Sequence, residues 1–269
     1  MAMPDSFQRL QVERRGANGS LLWVSLSNPE ARNALDEAMQ LELIELLRAV
    51  AADRSVRCLV LRGAGNTFCS GGDIRGFEDM TPVRGEWFSV HRGEVIQALM
   101  GGLGKPVIAA IDGWCLAGGC ELALMSDFVY ATEKAKFGVT EIRIGLLPGW
   151  GGLTRLPRAV GARRAREMIF RGEVIGAQEA QQLGLVNKLF AGAEELYAEV
   201  EKVALEIADK SSAAVRVARD VIAQTAHASD AVSMSLERGG LVYLLSTPDV
   251  QEGVQAFLEK RTPQFNQTH

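Results

Sequence analysis

The stretch 105–127, KPVIAAIDGWCLAGGCELALMSD, contains the strand, turn and helix on which the fold prediction depends. The segment GKPVIAAIDG at 104–113 holds a short apolar run that ends in glycine, as a buried strand does. Gly118 and Gly119 follow where a chain turns into a helix, and CELALMSD predicts that helix. Glu121 lies inside this apolar run, so the sequence predicts one carboxylate in the first turn of a buried helix.

Segments on both sides predict further strands and helices. LQVERR and SLLWVSLS, separated by the turn residues GANG, predict an antiparallel hairpin. An apolar stripe from Leu35 to Val50 at helical spacing predicts a helix with Asp36 and Glu37 in its first turn. Three more elements are predicted, namely a strand at 56–63, a helix at 86–100 and a strand at 128–133. Strands that alternate with helices indicate an α/β fold with a mainly parallel sheet covered by helices.

The pattern changes after about residue 190. An apolar stripe from Leu196 to Ile207 has helical spacing, further helical segments follow, and no strand-like run is present. We therefore predict an α/β core at 1–195 and a helical C-terminal region at 196–269. No Pro- or Ser-rich linker separates the two, so the helical region is predicted to pack on the core or on a neighbouring subunit.

The overall composition excludes several classes of partner. The 269 residues are 47% hydrophobic and carry a net charge of −4, so no basic field attracts a nucleic acid. The first 30 residues do not fit a secretory signal. Nowhere do about 18 apolar residues follow one another, as a membrane-spanning helix requires. We expect neither a nucleic acid nor a membrane as a partner.

Cysteine and histidine are too scattered in sequence for a metal site. The four cysteines form neither a CxxC pair nor a dense disulfide framework, so we expect core thiols and a cytoplasmic location. The three histidines are far apart, which also weakens a Ser-His or Cys-His triad. We expect no metal, and carboxylates and backbone groups are the predicted carriers of any chemistry.

Three glycine-rich turns, NTFCSGGDI, WCLAGGCEL and LLPGWGGLTRL, suggest where that chemistry takes place. They are not phosphate loops, because Pro106 follows the only candidate lysine, Lys105, and no GxSxG nucleophile elbow is present. Glycine turns that open helices present free backbone N–H groups to a ligand. Two such groups from different turns would form an oxyanion hole, and a nearby carboxylate would move protons.

At these turns the chain closely resembles the enoyl-CoA hydratase/isomerase (crotonase) family. The matching stretches include NPEARNAL, FCSGGDI, KPVIAAIDGWCLAGGCELALMSD and AKFGVTEIRIGLLPGWGG, and the likeness runs from about residue 28 to 261. The resemblance implies a spiral core of repeated β-β-α units and a helical C-terminal region that forms homotrimers or dimers of trimers. It also implies that coenzyme A enters as part of the substrate, so that no separate cofactor is expected.

The resemblance assigns roles to residues of this chain. The oxyanion hole for a thioester carbonyl is implied at the backbone N–H groups of Gly72 and Gly118. Both hydratase glutamates are matched, by Glu121 and Glu141. Glu121 is implied as the base toward water, while Glu141 delivers the proton to the α-carbon. Seen alone, Glu121 is also explained as a carboxylate that interacts favourably with a helix dipole, and Glu141 as a surface acid before the apolar pair Ile142 and Ile144.

The coenzyme A and acyl sites are also implied by the resemblance. The segment after the first hairpin and the first glycine turn give the candidate coenzyme A contacts Arg32, Ala34, Ser70, Gly72, Asp73, Ile74 and Gly118. A solvated role for Arg32 and a loop-ordering role for Asp73 remain open. The acyl-pocket candidates are Trp114, Gly149 and Trp150.

Trp150 departs from the family pattern, which often has a small residue there. It could shorten the acyl pocket, stack on a cyclic acyl group or pack into the core. The predicted activity is hydration of a trans-2-enoyl-CoA to a 3-hydroxyacyl-CoA. The alternatives are an isomerase or a decarboxylase with the same oxyanion hole, or a non-catalytic member of the family.

Overall fold

Two β-sheets and a layer of helices make up the part of the chain that the structure describes. The computed structural model describes residues 3–4, 6–77 and 80–266. Ten strands occur along these residues, in chain order β1 (Leu10–Arg15), β2 (Leu21–Leu26), β3 (Cys58–Gly63), β4 (Thr67–Cys69), β5 (Val107–Ile111), β6 (Trp114–Leu116), β7 (Phe128–Thr132), β8 (Lys136–Gly138), β9 (Ile175–Gly176) and β10 (Lys188–Phe190). The fold is therefore α/β, as predicted.

The helices lie between and after these strands. Within the described residues they are α1 (Glu37–Ala52), α2 (Pro82–Glu86), α3 (Val95–Gly101), α4 (Gly118–Leu124), α5 (Gly152–Val160), α6 (Ala162–Arg171), α7 (Ala177–Gln182), α8 (Ala193–Ala208), α9 (Ser212–Thr225), α10 (Asp230–Leu245) and α11 (Pro248–Glu259). A π-helical segment, Trp87–Glu94, joins α2 to α3, and the predicted helix at 86–100 falls on this segment and α3. Asp36, predicted in the first turn of α1, is its N-cap and accepts from the Met39 N–H.

The large sheet has the order β1-β2-β3-β5-β7-β10. The predicted hairpin is confirmed, because β1 and β2 pair antiparallel with Leu10 opposite Leu26. The remaining neighbours in this sheet pair in parallel. Both faces of the sheet are covered: alternate residues of β2 belong to two different apolar clusters, with Leu22 and Val24 in one and Trp23 in the other. This explains why β2 reads as a continuous apolar run rather than as an alternating one.

A second sheet, with the order β4-β6-β8-β9, was not predicted from the sequence. Three of its strands directly follow strands of the large sheet, so that β3-β4, β5-β6 and β7-β8 form pairs that each lead into helical structure. The predicted β-β-α repetition is thus present. Gly113 lies at the corner between β5 and β6 with φ of 91°, and a Cβ there would overlap the carbonyl oxygen of Asn66. Glycine is therefore required for the chain to step from one sheet to the next.

The C-terminal helices differ in how they contact the core. Helix α8 spans the predicted boundary at 195/196, and its buried Leu196 and Val200 pack on the large sheet. Helix α9 is attached through Arg219, whose Nε donates to Asp127 over 2.9 Å. The predicted two-region division stays a prediction. Along the described residues, no helix has both the length and the apolar content needed to cross a membrane.

Candidate active site

A cavity of about 810 Å³ opens where the small sheet meets the start of α4. It is bounded by the first glycine turn, by the short 3-10 helix Glu141–Ile144 and by the loop that follows this helix. Its lining residues are Leu35, Ser70, Gly72, Ile74, Met80, Gly85, Leu116, Ala117, Gly118, Glu121, Thr140, Glu141, Arg143, Ile144, Leu146, Leu147, Gly149 and Trp150. Most of these side chains are apolar, so an apolar ligand with a few polar atoms fits this site.

Two backbone N–H groups lie side by side at one edge of the cavity. Gly118 is the first residue of α4, so its N–H has no acceptor within the helix. A Cβ on Gly118 would lie 3.6 Å from the nitrogen of Gly72, which shows how closely the two backbones approach. The backbone hydrogen bonds of the described residues include none from either N–H group. Both N–H groups are thus placed to donate to one ligand oxygen.

The residue before Gly118 holds this arrangement in a strained conformation. Ala117 has φ of 48° and ψ of −128°, which few residues with a side chain adopt. Its N–H donates to the carbonyl of Gly138 over 2.7 Å, so β8 fixes the turn into α4. Strain that the surrounding structure maintains is common at functional sites.

Glu121 is buried and anchored to the loop before α5. Its side chain is 2% exposed, and Oε1 accepts hydrogen bonds of 2.7 Å from the N–H groups of Trp150 and Gly152. Among the described residues none donates to Oε2, which leaves that oxygen for a ligand or water. Burial raises the pKa of Glu121 to about 7, and the neighbouring Glu141 carboxylate raises it too, while the two N–H donors and Arg155 act in the opposite direction.

Glu141 lies on the same cavity but is held differently. It begins the 3-10 helix Glu141–Ile144, and both carboxylate oxygens are buried, with no side chain of the described residues donating to them. Burial raises the pKa of Glu141 as well, while the backbone N–H groups of Glu141 and Thr140 act in the opposite direction. A buried carboxylate beside a second acid is typical of a site for proton transfer.

Comparison with known proteins shows to which family the chain belongs. Residues 16–268 match the family model for enoyl-CoA hydratase/isomerase. The chain belongs to this family. It is 38% identical to the crotonyl-CoA hydratase of Syntrophomonas wolfei, over 89% of this chain and 92% of that protein. It is 37% identical to the 2,3-dehydroadipyl-CoA hydratase of Escherichia coli K12, over 91% and 94% of the two chains.

Solved structures of similar proteins share the fold. The crystal structure of enoyl-CoA hydratase from Bacillus anthracis superposes with a TM-score of 0.90 at 34% identity, over 97% of this chain and 100% of that one. An enoyl-CoA hydratase structure from Geobacillus kaustophilus gives the same TM-score at 32% identity, over 97% and 99%. The crotonase-like fold implied by the sequence is confirmed.

Of the other site residues predicted for this enoyl-CoA hydratase/isomerase family member, some line the cavity and others lie beside it. Ser70, Ile74 and Gly149 line it. Arg32 lies beside the first glycine turn, where its carbonyl accepts from the Ser70 N–H over 3.1 Å. The guanidinium of Arg75 holds the carboxylate of Asp73 and lowers its pKa, which matches a loop-ordering role for Asp73.

Ala34 and Trp114 are not among the residues that line the cavity. Ala34 is buried next to Leu35. Trp114 starts β6, where it pairs with Thr67 and Lys136, and its side chain is 47% exposed. The cavity begins only two residues later, at Leu116, and a role for Trp114 in the acyl pocket stays a prediction.

Sequence reasoning missed several residues around the site. Met80 and Gly85 come from a segment with little resemblance to the family, and their place in the cavity depends on tertiary packing. Gly93 and Arg155 were also missed, although both contact Trp150. Ile144, Leu146 and Leu147 could have been noticed in the sequence as apolar residues close to Glu141. In the structure they are exposed and line the cavity, as the residues of a binding surface do. Among the described residues, no group of three or more His, Cys, Asp or Glu side chains is placed to hold a metal.

Proposed function

We propose that the protein is an enoyl-CoA hydratase, which adds water reversibly and in syn fashion to a trans-2-enoyl-CoA to give a 3-hydroxyacyl-CoA. The observation that carries this proposal is that two acids, Glu121 and Glu141, share one cavity with two unused backbone N–H groups. Similarity to two acyl-CoA hydratases over about nine tenths of the chain supports it.

The reaction starts at the oxyanion hole. The thioester carbonyl oxygen accepts from the N–H groups of Gly72 and Gly118, which polarises the conjugated double bond. When water attacks the β-carbon, the C=C electrons move toward the carbonyl and form an enolate whose negative oxygen both N–H groups stabilise. Loss of one such donor typically costs about 3–4 kcal/mol of transition-state stabilisation.

The two acids move the protons. Oε2 of Glu121 takes a proton from the attacking water, because Oε1 is already occupied by the N–H groups of Trp150 and Gly152. Glu141 gives its proton to the α-carbon and is left as a carboxylate. Dehydration follows the same path in reverse. A pKa of about 7 suits Glu121 to gain and lose a proton at neutral pH.

We also propose where the coenzyme A part of the substrate binds. Its pantetheine and nucleotide parts lie toward Ser70, Ile74 and the neighbouring Arg32, with Ala34 and Asp73 in the surrounding structure. The coenzyme is part of the substrate, so the reaction uses no separate cofactor. The cysteines are free and buried, in keeping with a reducing cytoplasm.

The same scaffold carries isomerases and decarboxylases, and the second acid favours hydration over both. An isomerase needs only one group that moves a proton, whereas water addition needs a base for water and an acid for the α-carbon. Neither acid is lost here, which also disfavours a non-catalytic member.

Product analysis tests the proposal. Purified protein with crotonyl-CoA is expected to form 3-hydroxybutyryl-CoA, and with a 3-enoyl-CoA little 2-enoyl product. Conversion of the 3-enoyl-CoA with no hydration of crotonyl-CoA would make the protein an isomerase. No reaction with any acyl-CoA, in a protein that melts cooperatively, would make it a binding member of the family.

The assembly proposed is a homotrimer or a dimer of trimers built through the C-terminal helices. Helices α9, α10 and α11 leave many large apolar side chains exposed, namely Ile222, Val232, Met234, Leu241, Val242, Tyr243, Leu245, Val254, Phe257 and Leu258. An apolar surface of this extent is typical of a contact with another protein chain.

A further inference from the structure

We infer that Trp150, packed on Gly93, closes the acyl end of the cavity and makes the enzyme specific for short enoyl groups. The inference rests on the proposed function, because the orientation of the substrate is set by the oxyanion hole at Gly72 and Gly118. It names the substrate class, which the family membership leaves open.

The contact between the two residues is close. A Cβ on Gly93 would lie 2.7 Å from Cδ1 and 3.0 Å from Cε2 of the Trp150 indole, and closer still to Nε1. These distances are well inside the roughly 3.5–4.0 Å at which carbon atoms make favourable contacts. The indole therefore rests against the backbone of Gly93, and any side chain at 93 would displace it. Gly93 lies in the π-helical segment Trp87–Glu94, a type of helix that is frequent at functional sites.

Trp150 is held firmly in this position. Its side chain is 3% exposed, and it belongs to the main apolar core while it also lines the cavity. Its backbone is fixed at both ends, because its N–H donates to Glu121 Oε1 over 2.7 Å and its carbonyl accepts from Arg155 over 3.4 Å. The pocket wall and the catalytic carboxylate are thus joined through one residue.

The place of Trp150 determines which part of the substrate it limits. The thioester carbonyl binds at Gly118, and the β-carbon must reach Oε2 of Glu121 for water to be activated. The acyl chain beyond the β-carbon continues past Glu121, and Trp150 lines the cavity beside this carboxylate, to which its backbone N–H donates. A small group such as the methyl of crotonyl-CoA fits before the indole, whereas a longer chain meets it.

One other route for a long chain exists. Ile144, Leu146 and Leu147 line the cavity and are also exposed, so a chain that bends away from Trp150 would leave the cavity beside them. In that case Trp150 would be a core residue with no effect on chain length. The chain-length preference of the wild type and of Trp150 variants separates the two cases.

The test compares kcat/KM for crotonyl-CoA, 2-octenoyl-CoA and 2-hexadecenoyl-CoA. The wild-type enzyme is expected to prefer crotonyl-CoA over 2-octenoyl-CoA by about 100-fold or more, since each methylene in a pocket is worth roughly 10- to 200-fold. Trp150→Ala is expected to reduce this preference at least tenfold. Trp150→Leu removes less of the side chain, so its preference for crotonyl-CoA over 2-octenoyl-CoA should lie between those of the wild type and Trp150→Ala. Thermal melts identify any variant that fails to fold.

Gly93→Ala provides the matched variant. In the wild-type background its methyl group pushes the indole into the cavity, so we expect kcat/KM for crotonyl-CoA to fall. In the Trp150→Ala background the methyl group enters the vacated space, and the same substitution should have little further effect. A methyl group that acts only on helix stability would change both backgrounds equally.

The outcomes distinguish this inference from the proposed function. Wild-type enzyme that hydrates all three substrates with similar kcat/KM would overturn the inference and leave the hydratase assignment intact. An unchanged preference in both folded Trp150 variants would overturn it as well. Absence of hydration of every substrate would remove the proposed function, and the chain-length inference with it.

Discussion

Glu121 and Glu141 line the same cavity, but the structure holds their carboxylates in opposite ways. Glu121 has one oxygen bound by the N–H groups of Trp150 and Gly152, which belong to a distant loop. Both oxygens of Glu141 are buried, and the backbone N–H groups that act on its pKa are those of Glu141 itself and Thr140, at the start of its own 3-10 helix. The two hydrogen bonds from the loop before α5 suit Glu121 to the role of a fixed base that orients water.

Replacing either acid by its amide should remove most of the activity. Glu121→Gln and Glu141→Gln are each expected to lower kcat on crotonyl-CoA by about 100-fold or more, in line with general acid–base contributions. Because the amide is the same size, the fold should persist. Circular dichroism and thermal melting serve as controls, and full activity in both folded variants would exclude the proposed roles.

The pH dependence of kcat/KM should report the ionisation of Glu121. As a base toward water Glu121 must be ionised, so activity is expected to fall as pH decreases, with a midpoint near its pKa of about 7. The Glu141 carboxylate raises that pKa. Since Glu141 acts as the proton donor, that repulsion arises only when Glu141 loses its proton, so its ionisation should give a fall in activity at high pH. This high-pH fall should be lost from the residual activity of Glu141→Gln, and its persistence would contradict the role of Glu141.

Removal of Arg155 should shift the low-pH fall in activity, the acid limb of the profile, to higher pH. Its guanidinium lowers the pKa of Glu121, and its Nη1 also donates to Gln97 Oε1 over 2.8 Å. In Arg155→Met the acid limb is expected to move to higher pH. Arg158→Met, an exposed position on the same helix, is the control and should leave the limb where it is. A loss of kcat in Arg155→Met without a pH shift would indicate a purely structural role.

The long elements of the fold could be predicted from the sequence, and the short ones could not. Helix α1 and strands β2, β3, β5 and β7 carry enough residues to show a period or a continuous apolar run. Strands β4, β6 and β8 have three residues each, too few for any pattern, so the small sheet was missed. This sheet nevertheless positions Gly118, since Ala117 bonds to β8.

The candidate site was predicted through motifs rather than through geometry. Gly72, the α4 residues Gly118 and Glu121, and Glu141 come from three separate parts of the sequence, and only the family resemblance suggested that they meet. The fit of the Trp150 indole on Gly93 could not be predicted, because it depends on how the π-helical segment approaches the loop before α5. Sequence left three roles open for Trp150, and the structure shows that it is both a core residue and a cavity wall.

A charged side chain in the apolar surface of the C-terminal helices should dissociate the proposed trimer. Phe257 on α11 is 83% exposed, and Phe257→Asp is expected to reduce the molar mass measured by light scattering from that of three or six protomers toward one. Lys202→Asp, an exposed change of charge on α8, should leave the mass unchanged. A monomeric wild-type protein would contradict the proposed trimer.

Glu121 should also make the protein less stable as the pH rises from 4.5 to about 7. Its pKa of about 7 in the folded protein lies above the ordinary value of 4.5, so the folded state binds the proton more tightly than the unfolded chain does. The free energy of unfolding is therefore highest below the unfolded value and falls as pH rises through 7, by about 3 kcal/mol in total. Glu121→Gln removes this dependence while Gln Oε1 still accepts from Trp150 and Gly152. We expect the melting temperature of Glu121→Gln to equal that of the wild type near pH 4, to exceed it increasingly up to about pH 7 and to exceed it by a constant amount above that pH. A constant difference from pH 4 to pH 7 would contradict the burial of an ionisable Glu121.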